Sequence, residues 1–147
     1  MTEQLQLQPR LRLLADLVPQ GARLADIGTD HGYLPAYLLQ RGRIASAIAA
    51  DIGRAPLDHA RRTAEQYGVE CGLRFLCCDG LCGISPEDAD TVVIAGMGGE
   101  TIIRILSQAP WTRSGETLLL LQPMTKQEPL RRWLNENGYA QCAERLV

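Results

Sequence analysis

The 147-residue sequence predicts a doubly wound α/β fold, a parallel sheet with helices on both faces. Short apolar runs alternate with segments whose apolar residues recur at helical spacing. Two of the runs, TVVIAG (91–96) and TLLLLQ (117–122), lack the in–out alternation of a half-exposed strand, as strands buried on both faces do. Glycine or proline opens or closes almost every segment.

The elements follow in order. PRLRLLADLVP (9–19) places Leu11, Leu14, Ala15 and Val18 on one helical face and stops at Pro19. ARLADIG (22–28) is the first strand. YLPAYLLQRG (33–42) is a helix with Pro35 in its first turn, where a missing N–H is harmless, and Gly42 as its stop. ASAIAADI (45–52) is the second strand, and RAPLDHARRTAEQYG (54–68) the next helix, closed by Gly68. LRFLCCDG (73–80) and ADTVVIAG (89–96) are the third and fourth strands, and LCGISPED (81–88) between them is too short for a full helix. GETIIRILSQA (99–109) is a helix and ETLLLLQP (116–123) the fifth strand. TKQEPLRRWLNENG (125–138) is a helix with Thr125 and Glu128 as a capping box, Leu130, Trp133 and Leu134 on its core face, and Gly138 at its end. YAQCAERLV (139–147) starts a sixth strand, so the sheet is expected to be incomplete at its C-terminal edge. The whole of 1–147 reads as one domain.

Composition narrows the classes. The chain is 46% hydrophobic and 22% charged, which suits a globular domain rather than a disordered or fibrous one. No apolar run approaches a membrane span, and the N-terminus lacks the basic and apolar stretches of a signal peptide, so a cytoplasmic location and no membrane partner are expected. The five cysteines are odd in number and lack paired C-x-x-C spacing, which argues against a disulfide framework or a zinc site; no metal is expected. A net charge of −2 neither suggests nor excludes a nucleic-acid partner, since a local basic patch can hide in the sum.

The stretch LADIGTDHGYLP (24–35) is the strand, glycine turn and helix start of a nucleotide-binding fold, yet it sets Asp26, Asp30 and His31 around only two glycines, Gly28 and Gly32. A dinucleotide site wants G-x-G-x-x-G, whose second glycine lets backbone approach the pyrophosphate. Here that position is Asp30, and a carboxylate repels a phosphate strongly in a dry crevice. S-adenosylmethionine has no phosphate and carries two cations, a sulfonium and an ammonium, which carboxylates attract. Acids or glycine turns recur at the next strand ends. Asp51 is placed to accept both ribose hydroxyls, Asp79 in CCDGL to accept from the adenine amino group, and AGMGGE (95–100) to hold the point where methyl and substrate meet.

RLADIGTDHGYLP, ADTVVIAGMGGETI, and LLLLQP followed by LRRWLNENGY together resemble the bacterial tRNA (adenine-N1)-methyltransferases that act on adenine 22 of tRNA, the TrmK family, over nearly the whole chain. The resemblance implies a Rossmann-like class I S-adenosylmethionine-dependent methyltransferase, with S-adenosylhomocysteine as product and tRNA as partner. Met124 stands where the family usually has asparagine, and Asp51 where glutamate is common. Family members continue beyond this sequence, completing the sheet and adding a mostly helical domain that helps hold tRNA. That domain is absent here, and an exposed sheet edge rather than a defined oligomer is expected.

On this reading the cofactor crevice is lined by Asp26, Gly28, Thr29, Asp30, His31, Gly32 and Tyr33, by Asp51 and Ile52, by Asp79, Gly80 and Leu81, and by Ala95, Gly96, Met97 and Gly98. The substrate base is expected against Asp30, His31, Gly98, Gly99, Gln122 and Pro123. Enzymes that methylate exocyclic amines commonly carry N/D-P-P-F/Y after the fourth strand; AGMGG has no proline pair, aromatic or side-chain acceptor. That favours a ring nitrogen such as adenine N1, which presents a lone pair on a base taken out of its stack. Asp30 is the candidate catalytic residue. It can accept a hydrogen bond from the target's N6 amino group and offset the charge the methylated base acquires; holding the cofactor's ammonium or capping the helix after Gly32 is the alternative. His31 is either structural or a base contact, and Tyr33 packs on the cofactor or on its own helix. Methylation of another RNA, a protein or a small molecule, and cofactor binding without turnover, are the rival functions.

Overall fold

The computed structural model describes residues 3–145. Five parallel strands, β1 (Ala22–Ile27), β2 (Ile44–Asp51), β3 (Leu73–Cys77), β4 (Thr91–Gly98) and β5 (Leu118–Thr125), form one sheet in the order β3-β2-β1-β4-β5. The winding therefore reverses between β1 and β4, and that is where a crevice opens at the strands' carboxyl ends. The helices are α1 (Pro9–Leu17), α2 (Tyr33–Gln40), α3 (Arg54–Tyr67), α4 (Gly99–Ser107) and α5 (Gln127–Glu136), with 3-10 turns at Glu70–Gly72 and Pro110–Arg113. Among the described residues no helix is long and apolar enough to cross a membrane.

Alternation along the strands divides the core in two. Leu24, Ala47, Ala49 and Val93 face α1, α2 and α3, packing with Leu14, Val18, Leu34, Leu38 and Ala64. Ala25, Ile27, Ile48, Ala50, Val92 and Ile94 face the other way, against Ile102, Ile105 and Leu106 of α4 and Leu130 of α5. The central strands β1, β2 and β4 are thus largely apolar on both faces because both faces are covered.

Four expectations need correction. β5 is not a buried central strand: it pairs with β4 alone and Leu118–Leu121 are only half-buried, because it lies at the sheet's edge. The sixth strand does not form over 139–145. Tyr139 instead donates its backbone N–H to Leu134 O (3.0 Å) and shares a 2.7 Å hydroxyl hydrogen bond with Thr112, while Glu144 pairs with Arg131 of α5 at 2.7 Å. These contacts fold the segment back along α5; Val147 lies outside the described residues. The capping box is absent as well. Thr125 ends β5 opposite Gly98, and Lys126, at φ 57°, takes the N-cap position with no side-chain cap. Trp133 and Leu134 are half-buried against the core rather than within it.

The tight passage from β5 to α5 explains one glycine. A Cβ on Gly99 would lie 2.4 Å from the Lys126 carbonyl oxygen and 2.8 Å from that of Thr125. Both are backbone atoms and cannot rotate away. Gly99→Ala should therefore destabilise the fold by about 1–3 kcal/mol, the usual cost of overpacking. Urea unfolding of the two proteins measures it, and an unchanged midpoint would contradict the packing described.

Candidate active site

The loop after β1 is a run of left-handed turns. Gly28 (φ 71°), Asp30 (φ 55°) and Gly32 (φ 69°) alternate with ordinary residues. The N–H groups of Gly28 and Thr29 both donate to Ala50 O, at 2.9 and 3.0 Å, which ties the loop to the end of β2. Gly32 starts α2, and a Cβ there would meet Ala60 Cβ of α3 at 2.9 Å. A left-handed, non-glycine residue such as Asp30 is uncommon and costs about 1–3 kcal/mol, so the surroundings must hold it. One restraint is the Asp51 carboxylate, whose Oδ2 accepts the Asp30 N–H at 3.3 Å while Oδ1 accepts that of Gly53 at 3.1 Å. Asp51 is thereby oriented by backbone donors on one side and open to the crevice on the other.

The cleft at the reversal point is lined by Ile27, Gly28, Asp51, Ile52, Cys78, Asp79, Gly80, Met97, Thr101, Arg104 and Ile105. Six of these were expected from sequence: Gly28, Asp51, Ile52, Asp79, Gly80 and Met97. Arg104 was not. It reaches from α4 to make two 3.2 Å contacts with the two oxygens of Asp79, so this carboxylate is not a free acceptor. Any donor reaching Asp79 there would share its carboxylate with a guanidinium. Thr101 and Cys78 also escaped the sequence reading, since nothing in their spacing distinguishes them from other helix and strand residues. Ile52 is 71% exposed on the cleft wall, an unusual position for a large apolar side chain and one suited to a flat ring. Leu81, expected in the lining, is instead buried in the core on the α4 side, and Ala95 packs against the opposite core.

Met97 crosses the mouth of β1. Its terminal methyl lies 2.4 Å from where a Cβ on Gly28 would be, so Gly28 is required by a close approach as well as by its φ. At the carboxyl ends of β4 and β5, Gln122 Oε1 accepts the Gly96 N–H at 3.1 Å and Arg10 Nη1 at 3.0 Å, linking β4, β5 and α1. Arg10 was not foreseen, because it belongs to a helix remote in sequence from every motif. Gly98 and Gly99 face Thr125 and Lys126, so their lack of side chains serves packing against β5 and α5. Pro123 is half-buried beside them. Asp30 is 70% exposed at the rim, with His31 Nε2 at 3.8 Å. His31 stacks on Tyr33 and on His59, with ring centroids 5.1 and 4.9 Å apart and planes within 14° and 8°.

Beneath the loop, Asp26 is buried and accepts the Thr29 hydroxyl at 2.9 Å. Burial pushes its carboxyl up from the ordinary 3.8 to about 7; the Thr29 hydrogen bond opposes this and the nearby Asp51 charge adds to it. Beneath the crevice there is thus one buried carboxyl poised to ionise near neutral pH, close to Asp51, whose carboxylate is held by backbone donors.

The chain matches the family described as "Methyltransferase domain" over residues 7–147. It is similar to the tRNA (adenine(22)-N(1))-methyltransferase of Bacillus subtilis (strain 168), 38% identical over 144 residues, 98% of this chain and 60% of that protein. Among solved structures it resembles the B. subtilis m1A22 tRNA methyltransferase TrmK, with TM-score 0.84 and 38% identity over 92% of this chain and 58% of that one. It also resembles M. capricolum TrmK in complex with S-adenosyl-homocysteine, with TM-score 0.77 and 32% identity over 87% and 57% of the two chains. The chain thus spans about 60% of the length of these relatives.

Asp26 sets a pH dependence whose sign is fixed. With a folded pKa of about 7 against an ordinary 3.8, the folded state keeps a proton that the unfolded state has lost between those values. Unfolding free energy should fall as pH rises through this window and level off above it, by up to about 4 kcal/mol. Asp26→Asn, uncharged at every pH, should lack that slope. Chemical denaturation of both proteins from pH 4 to pH 8 tests this, and parallel stability curves would refute it.

Proposed function

The chain belongs to the methyltransferase-domain family, and on that premise we propose that it transfers a methyl group from S-adenosylmethionine to N1 of an adenine in tRNA, position 22 in tRNA numbering. The observation that carries the proposal is the carboxylate-furnished loop at the reversal point, with Asp26, Asp30 and Asp51 grouped around left-handed backbone where a phosphate binder would present only N–H groups. The similarity to the two m1A22 methyltransferases supports the choice of base and RNA.

The donor set suits a cationic nucleoside. Asp51, oriented by the Asp30 and Gly53 N–H groups, accepts the two ribose hydroxyls. Ile52 offers an apolar wall to the adenine ring, and the Asp79–Arg104 pair beside it offers both an acceptor and a donor to the ring's edge. Asp26 gains its charge most easily when a cation lies above it. The bound cofactor supplies an electrophilic methyl group on a positively charged sulfur. The protein's part is to bring adenine N1 into line with that methyl at near-attack distance.

On the base side, Gln122 holds the Gly96 N–H and Arg10, which keeps the β4 turn in place without presenting a free side-chain base. None is needed, because N1 carries its own lone pair. Asp30, left-handed and exposed at the rim, accepts the N6 amino hydrogen bond and balances the positive charge that forms on the methylated ring. Met97, a flexible side chain across Gly28, screens the reacting atoms from water.

Methylation of tRNA transcripts carrying adenine or guanine at position 22, with nucleoside mass spectrometry of the product, tests the reading; the adenine transcript alone should yield 1-methyladenosine. Asp51→Ala should weaken S-adenosylmethionine binding by about 1–3 kcal/mol, the consequence of leaving ligand hydroxyls unpaired. Calorimetry giving equal affinities would remove Asp51 from the cofactor site. Asp30→Asn should lower turnover while leaving cofactor affinity within a few fold. Equal losses in both measurements would instead make Asp30 a cofactor ligand.

A further inference from the structure

His59, on α3, has no part in the proposed reaction, yet it stands at the rim of the crevice. Its ring lies parallel to that of His31, and one ligand atom from each of Asp30, His31 and His59 lies within 4.8 Å of the other two. Among the described residues no other three histidine, cysteine, aspartate or glutamate side chains converge in this way. The grouping is built by the fold. Asp30 and His31 ride on the left-handed loop, and α3 is pressed against that loop where Ala60, the neighbour of His59, abuts Gly32.

We propose that Asp30, His31 and His59 form a binding site for a divalent transition metal of the zinc class, and that a metal there withdraws Asp30 from the target base and stops methyl transfer. Two imidazoles and a carboxylate are the donor set that zinc takes when it keeps a fourth position for water. The same imidazoles select against magnesium and calcium, which prefer oxygen alone. Ligand nitrogens on a tetrahedral ion, each about 2.1 Å from it, sit roughly 3.4 Å apart, so the three side chains need to close by about 1 Å. The torsion that turns an imidazole ring is broad, and His31 is 43% exposed, so the parallel rings can rotate until their lone pairs converge. Metal ligation takes imidazoles in their neutral form and a carboxylate in its ionised form, so this ligand set lends one negative charge to the cation. The binding site stands on its own geometry; only the inhibition rests on the methyl-transfer reading.

Calorimetric titration of the chain with zinc ion alone tests the site, after the exposed thiols of Cys71, Cys77, Cys82 and Cys142 have been alkylated. One equivalent should bind, and His59→Gln should weaken it at least tenfold. Asp30→Asn, a substitution from a different element, should do the same, so a folding defect in one variant does not decide the matter. Cobalt substitution should give visible bands without thiolate charge-transfer absorption. Equal zinc affinity in wild type and both variants, or no saturable binding, would overturn the site. Zinc should also suppress tRNA methylation reversibly on chelation, with the residual activity of His59→Gln, taken relative to its own metal-free rate, far less sensitive. Zinc binding without suppression would overturn the inhibition. Zinc binding by a chain that methylates no tRNA would leave the site standing and overturn the reaction proposed above.

Discussion

The carbonyl oxygen of Ala50 receives the N–H groups of both Gly28 and Thr29, and the arrangement of the crevice depends on this tie. It locks the turn after β1 to the end of β2, the two strands whose carboxyl ends carry the acids. From that point the chain can reach α2 only through left-handed residues at 30 and 32. Gly32 must be glycine because Ala60 occupies the space a side chain would take. Asp30 tolerates its conformation because Asp51 accepts its N–H. Two carboxylates that would repel each other are thereby joined through a backbone donor, and both are presented at one mouth.

The electrostatics of the loop follow from depth. Asp26, Asp30 and Asp51 lie within one turn of chain and two strand ends, yet they differ in solvation. Asp26 is buried and shifted toward neutrality, Asp51 is half-buried and fixed by N–H donors, and Asp30 projects into solvent. A phosphate ligand would find acceptors where it needs donors. A ligand bearing positive charge would find acceptors, and a negative charge that can be strengthened by loss of the Asp26 proton.

The AGMGG turn at the end of β4 shows how packing and hydrogen bonding divide the same short motif. In AGMGG the glycine at 96 is exposed and left-handed, and its N–H is held by Gln122. The glycines at 98 and 99 exist for the approach of Thr125 and Lys126. Met97 between them covers the β1 turn. A motif that reads in sequence as a flat bed for a base is, in the fold, partly the seam that lets β5 and α5 close over β4.

Much of this was legible in the sequence. Five of the six strands read from the sequence, the five helices and the parallel sheet follow from apolar periodicity and from glycine, which are local properties of the chain. What sequence could not supply were relations between distant residues. Arg104 pairs with Asp79, Arg10 of α1 reaches Gln122 of β5, His59 of α3 meets His31 of the loop, and Leu81 turns into the core. The unformed capping box at Thr125 and the unformed strand at 139–145 have the same cause. Thr125 was taken up by pairing with β4, and Tyr139 and Glu144 found Thr112 and Arg131. Local patterns fix which element a segment prefers, whereas the partner that satisfies its polar groups is chosen only when the sheet brings separate segments within hydrogen-bonding distance.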